Sequence, residues 1–170
     1  MTHFVGLVLA KSEGDLERLL APYNENTEVT PYFRPLSEDD LVLMADHYKI
    51  DRSDTTALLA KMPDWCGCPG EEQNGQIGRV TTYNPNSKWD WYVVGGRWED
   101  IVPNNFCKVA DIPKFFKDYL PSVIVDATGW HSSKDWGWWG TSMPTDNPDV
   151  VQELLAKHKD DFVYVVDFHI

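Results

Sequence analysis

The chain has 170 residues, 42% hydrophobic and 25% charged, which is ordinary globular composition and enough length for one domain with a real core. A net charge of −12 argues against a protein that holds nucleic acid through a bulk basic field. No apolar run is long enough to cross a bilayer, and three cysteines, Cys66, Cys68 and Cys107, do not make a secreted disulfide framework. The opening "MTHFVGLVLAKSEGD" carries no basic leader, so a cytoplasmic protein is expected, with neither membrane nor direct nucleic-acid partners.

Residues 3–10, "HFVGLVLA", are apolar on both faces of the strand period and predict a strand inside a sheet covered on both sides. Ser12 followed by Asp15 resembles a capping box opening a short helix, with Leu16, Leu19 and Leu20 inward and Pro22 as the stop. Residues 23–35 read as a loop or short extended piece. Ser37 with Asp40 predicts another helix start, with Leu41, Met44, Ala45 and Tyr48 as its buried stripe. A further helix is expected from Ser53 to Met62, closed by Pro63. Residues 63–78, rich in Gly and Cys, read as a loop excursion within one domain.

Residues 79–83 are expected to be extended, and Asn84-Pro85-Asn86-Ser87 is turn chemistry. "KWDWYVV" alternates at period two, with Trp89, Trp91 and Val93 on one face and Lys88, Asp90, Tyr92 and Val94 on the other. Gly95-Gly96 can supply the two positive φ values of a tight hairpin, so Arg97 and Trp98 are predicted to begin a return strand. Asp111 is expected to cap a helix from Ile112 to Tyr119. "SVIVDATGWH" predicts strand, turn and strand. Asn147 and Pro148 predict the start of a last helix with Val151, Leu154 and Leu155 on its apolar side. The final "FVYVVDFHI" places Phe162, Tyr164, Val166 and Phe168 on one face and Val163, Val165, Asp167 and His169 on the other. The sum is a single α+β domain, a mainly antiparallel or mixed sheet with helices packed against it and the N- and C-terminal strands central.

Residues two apart on a strand are about 6.6 Å apart, so Asp167 and His169 can address one small site, the carboxylate orienting an imidazole. A polar pair at the sheet edge is the alternative. A metal there would need further groups, from His3 or His131. His131, beside Trp130 and "SSKDWGWWG", has the imidazole of a general acid or base, although no nucleophile is specified by spacing. The guanidinium of Arg97 can clamp a carboxylate or phosphate, with Trp91 and Trp98 stacking beside it; alternatively it pairs internally with Asp90. Of eight Trp, seven fall at 89–98, 130 and 136–139, and they favour a ligand or partner pocket lined by Trp91, Trp98, Trp138 and Trp139, or else core packing. Cys66-Gly67-Cys68 is not the CxxC of thioredoxin-like sites, and as a metal site it offers two ligands unless Cys107 and a histidine complete it. Neither "GGRW" nor "GWWG" has a phosphate-cradling glycine spacing, and no cofactor or metal is expected.

"LLAPYNEN" at 19–26, "YNPNSKWDWYVVGGRW" at 83–98, "GWHSSKDWGWWG" at 129–140 and "VVDFHI" at 165–170 together resemble a family of uncharacterised bacteriophage- and prophage-encoded proteins. The resemblance spans nearly the whole chain and carries no catalytic assignment. Its loop after His131, "SSKDW", and the Cys66–Gly75 stretch depart from the family pattern. The resemblance implies a single-domain accessory protein acting inside an infected bacterium. Three functions follow as expectations. The first is an accessory protein that binds a host protein or small ligand through a Trp-lined pocket, in an anti-defence role. The second is a hydrolase of a phosphate-containing small molecule using His131, Asp167 and His169 with Arg97 as anion clamp. The third is an acidic DNA-mimic inhibitor.

Overall fold

The computed structural model of the protein describes residues 2–136 and 142–170. The chain is α+β, with mixed and antiparallel sheets and helices packed against them. The elements run β1 (His3–Val8), α1 (Glu13–Leu20), β2 (Tyr32–Pro35), α2 (Glu38–Tyr48), α3 (Thr55–Cys66), β3 (Glu71–Gln73), β4 (Gln76–Thr81) and β5 (Trp91–Val94). They continue as β6 (Phe106–Lys108), α4 (Ile112–Phe115), β7 (Val123–Asp126), β8 (Gly129–Ser132), β9 (Lys134–Trp136), β10 (Ser142–Pro144), α5 (Val150–Lys157) and β11 (Phe162–His169). Two compact units result, one from Met1–Thr27 with Asn84–Ile170 and one from Glu28–Tyr83. No helix among the described residues is long and apolar enough to cross a membrane.

In the first unit the sheet order is β5-β11-β1-β7-β8, with β6 also paired to β11. Every pairing is antiparallel except β1 with β7. The central position of β1 and β11 agrees with their two-faced apolar sequences. Phe4, Val8, Val123, Val125, Val166 and Phe168 form one face under Leu16, Leu19 and Leu20 of α1. Val5, Leu7, Ile124, Val163 and Val165 form the other under Val151 and Leu155 of α5. Each fully buried aliphatic or Phe side chain contributes roughly 1.5–3 kcal/mol relative to exposure, so this double-sided sheet is the main source of stability in the unit.

The caps read from sequence hold at α1 and α2: Ser12 Oγ accepts from the Asp15 N–H at 3.2 Å, and Ser37 Oγ from the Asp40 N–H at 3.1 Å. Two helices differ. α4 is one turn, not the segment Ile112–Tyr119: Phe116 leaves helical geometry, and Asp111 engages Lys114 Nζ at 2.5 Å instead of capping. α5 begins at Val150, with Asn147 two positions upstream of its N-cap, Asp149.

In the second unit β2, β4 and β3 form an antiparallel sheet, and Met44, Ala45, Leu58, Met62 and Ile77 form a core. Residues 63–78 are not a loop excursion. α3 continues through Pro63 to Cys66, because Met62, Trp65 and Cys66 pack into this core and the Gly67 N–H closes the last turn on Pro63 O at 3.0 Å. The hydrogen bond that proline cannot donate is offset by that packing. Asn74 and Gly75, both at positive φ, then turn β3 into β4.

Candidate functional site

β5 does not lead into a return strand. Gly95 and Gly96 have positive φ, 77° and 50°, but they turn the chain into a 3-10 turn, Gly96–Trp98, and β5 pairs with β11 instead. The reason is a buried carboxylate. Asp167 is 2% exposed, and its Oδ2 accepts the Arg97 backbone N–H at 3.1 Å. A Cβ on residue 96 would stand 2.5 Å from Asp167 Cβ, so the close approach that places this N–H requires glycine. The glycine pair thus serves to carry backbone onto a carboxylate.

The other oxygen of Asp167, Oδ1, holds His3 Nδ1 at 2.9 Å. Beside it His169, 4% exposed, has Nδ1 2.7 Å from Asp90 Oδ1, which also accepts the Trp91 N–H at 2.8 Å. The register explains the convergence, since His3 and Trp91 are the two cross-strand partners of His169. The His3 and His169 rings meet edge to face at 4.9 Å, and Trp91 stacks on His169 at 4.7 Å and 16° while its own surface stays 42% exposed.

An ionised carboxylate only accepts, so each Nδ1 bonded to one carries the proton, and the chemistry of each ring passes to Nε2. Among the described residues, neither Nε2 has a protein hydrogen bond. The corner therefore holds two imidazoles in fixed orientation, each able to take a proton when neutral or give one when charged.

Arg97, whose backbone N–H binds Asp167, has an exposed side chain. The alternative reading, an internal pair with Asp90, does not form: Asp90 is taken by His169, and no carboxylate among the described residues lies within ion-pair distance of the guanidinium. Trp98 packs on the α5 side of the sheet and donates Nε1–H to Tyr119 OH at 2.8 Å. Trp138 and Trp139 lie outside the described residues.

His131 stands elsewhere. It pairs with Ile124 of β7, which pairs with Leu7, four residues along β1 from His3. At about 3.3 Å per residue and 4.8 Å per strand, it is about 20 Å from His169. Its Nε2 lies 3.2 Å from Asp126 Oδ1 and 3.0 Å from Thr128 Oγ1, and it borders a recess of about 380 Å³ with Trp130, Thr145 and Asn147. Burial acts to raise the pKa of Asp126, but hydrogen bonds from Thr128 and His131 outweigh it and hold the carboxyl below its ordinary value.

His3 and Asp90 complete the corner. The sequence offers them only as a conditional metal ligand and as a partner for Arg97; what joins them to His169 is strand pairing across 166 residues for His3 and a side-chain contact across 79 residues for Asp90, just before β5. Among the described residues no group of three or more His, Cys, Asp or Glu side chains is arranged to hold a metal ion. Cys107, on β6, is pushed up to about 11 by burial. No protein-family model, curated protein or solved structure matches the chain.

Proposed function

We propose that the chain is a hydrolase of a small phosphate ester, with His3 and His169 as its acid and base. The observation that carries this is the pair of imidazoles side by side, each held through Nδ1 by a carboxylate and each with Nε2 unbonded. One Nε2 takes a proton from the attacking water while the other gives one to the leaving oxygen; Arg97 binds the phosphate, and the exposed surface of Trp91 supports the rest of the molecule. Asp90 and Asp167 act as positioning residues.

Two of the four segments that carry the resemblance to phage proteins, 83–98 and 165–170, supply Asp90, Trp91, Arg97, Asp167 and His169. That supports an accessory role on a host small molecule as the setting for this chemistry. A second reading, docking of a host protein, is favoured by the outer edge of β5, where Trp91 and Val93 are 42% and 45% exposed.

The test is turnover of a panel of nucleoside monophosphates and cyclic nucleotides followed by phosphorus NMR. Hydrolysis of at least one member is expected, reduced about 10²- to 10⁴-fold by His169→Ala or His3→Ala, the usual worth of a general acid or base. No turnover by the wild-type chain, or turnover untouched by both variants, would overturn the proposal.

A further inference from the structure

Cys66 and Cys68 belong to none of this chemistry, yet their sulfurs stand 3.3 Å apart. Cys66 is the last residue of α3, and Gly67 follows in the left-handed region at φ 73°, which reverses the chain so that both side chains fall on one side. An L side chain at residue 67 would be strained there. Both thiols are half-buried and free, and Arg79 of β4 places Nη1 3.7 Å from the Cys68 sulfur. Cys66 Sγ also lies 3.2 Å from the Met62 carbonyl.

We propose that Cys66 and Cys68 form a redox-active dithiol that exchanges with low-molecular-weight disulfides, Cys68 attacking first and Cys66 resolving. The Cys68 thiolate attacks one sulfur of a disulfide such as glutathione disulfide. The S–S bond of that molecule breaks, a Cys68–glutathione bond forms, and the departing glutathione thiolate takes a proton from water. Cys66, giving up its proton to solvent, then attacks the Cys68 sulfur; a Cys66–Cys68 bond forms and the second glutathione leaves. Two protein thiols are oxidised to one disulfide, and one glutathione disulfide is reduced to two thiols. The order follows from the surroundings: a hydrogen bond from Cys66, then the Arg79 guanidinium, hold the Cys68 thiol below its ordinary pKa against burial, which acts the other way.

The experiment exposes the reduced full-length chain to glutathione disulfide and follows it by intact mass and peptide mapping. Wild type should lose two hydrogens with the bond mapped to Cys66–Cys68 and Cys107 unmodified. Cys66→Ser should stop at a single glutathione on Cys68, and Cys68→Ser should react at Cys66 at least about tenfold more slowly. Arg79→Gln should slow the first step roughly threefold or more while leaving the product unchanged. Circular dichroism confirms that each variant is folded. Glutathione retained on both wild-type thiols, no reaction, or equal rates for the two serine variants would overturn the proposal.

Discussion

Asp90 Oδ1 lies 2.7 Å from His169 Nδ1, joining residues 79 positions apart at the edge of the main sheet. Replacing the carboxylate by an amide keeps the size but lets the side chain donate, so the Nδ1 proton is no longer specified. Asp90→Asn is expected to lower kcat about 10²- to 10⁴-fold with little change in KM, as an error in protonation does. A larger effect on KM than on kcat would make Asp90 a binding group.

Gly96 should tolerate no side chain. Its positive φ and its contact with Asp167 both oppose a Cβ. Gly96→Ala should cost about 1–3 kcal/mol in urea unfolding and disturb the His3 resonance, which depends on Asp167. Unchanged stability would remove the close backbone approach as a requirement of the fold.

Trp91 and Ile124 separate site from core. Ile124→Ala removes a fully buried side chain and should cost about 2–5 kcal/mol. Trp91→Ala should cost less than about 1.5 kcal/mol yet weaken binding of a nucleoside monophosphate roughly tenfold, the worth of one aromatic stack. Chemical denaturation and isothermal titration calorimetry together read both effects.

Asp126 gives the acid limb of stability. Its folded pKa is lower than its ordinary value, so the unfolded chain binds the proton more readily. The stabilisation is therefore complete above the unfolded value of about 4 and is lost as pH falls through the lower folded value. Urea midpoints between pH 5 and 2 should fall less steeply for Asp126→Asn than for wild type. Parallel slopes would contradict the hydrogen-bonded carboxylate.

Much of the architecture is legible in the sequence because burial writes it there. "HFVGLVLA" and "FVYVVDFHI" are apolar at consecutive positions, and only strands covered on both faces require that; the serines at 12 and 37 mark their helices because an orphan N–H needs an acceptor. The hairpin expected at Gly95-Gly96 shows the limit. Positive φ is readable from two glycines, but what the turned chain meets is not, and here it meets Asp167. Pro63 signals a helix stop on local grounds that tertiary packing of Met62 and Trp65 overrides, while the hairpin signal of Asn74-Gly75 is masked by the Gly- and Cys-rich stretch around it. At the site, the spacing of Asp167 and His169 places them on one face, but their imidazole and carboxylate partners come from β1 and from Asp90, just before β5, and are brought in by strand pairing distant in the chain.

Long-range proton–nitrogen NMR of the histidine rings, recorded with and without inorganic phosphate, tests the acid and base pair most directly. His3 and His169 should each show a protonated Nδ1, and both Nε2 signals should move on adding phosphate while His131 stays in place. Nε2-protonated, Nδ1-bare rings, or Nε2 signals indifferent to saturating phosphate, would contradict it.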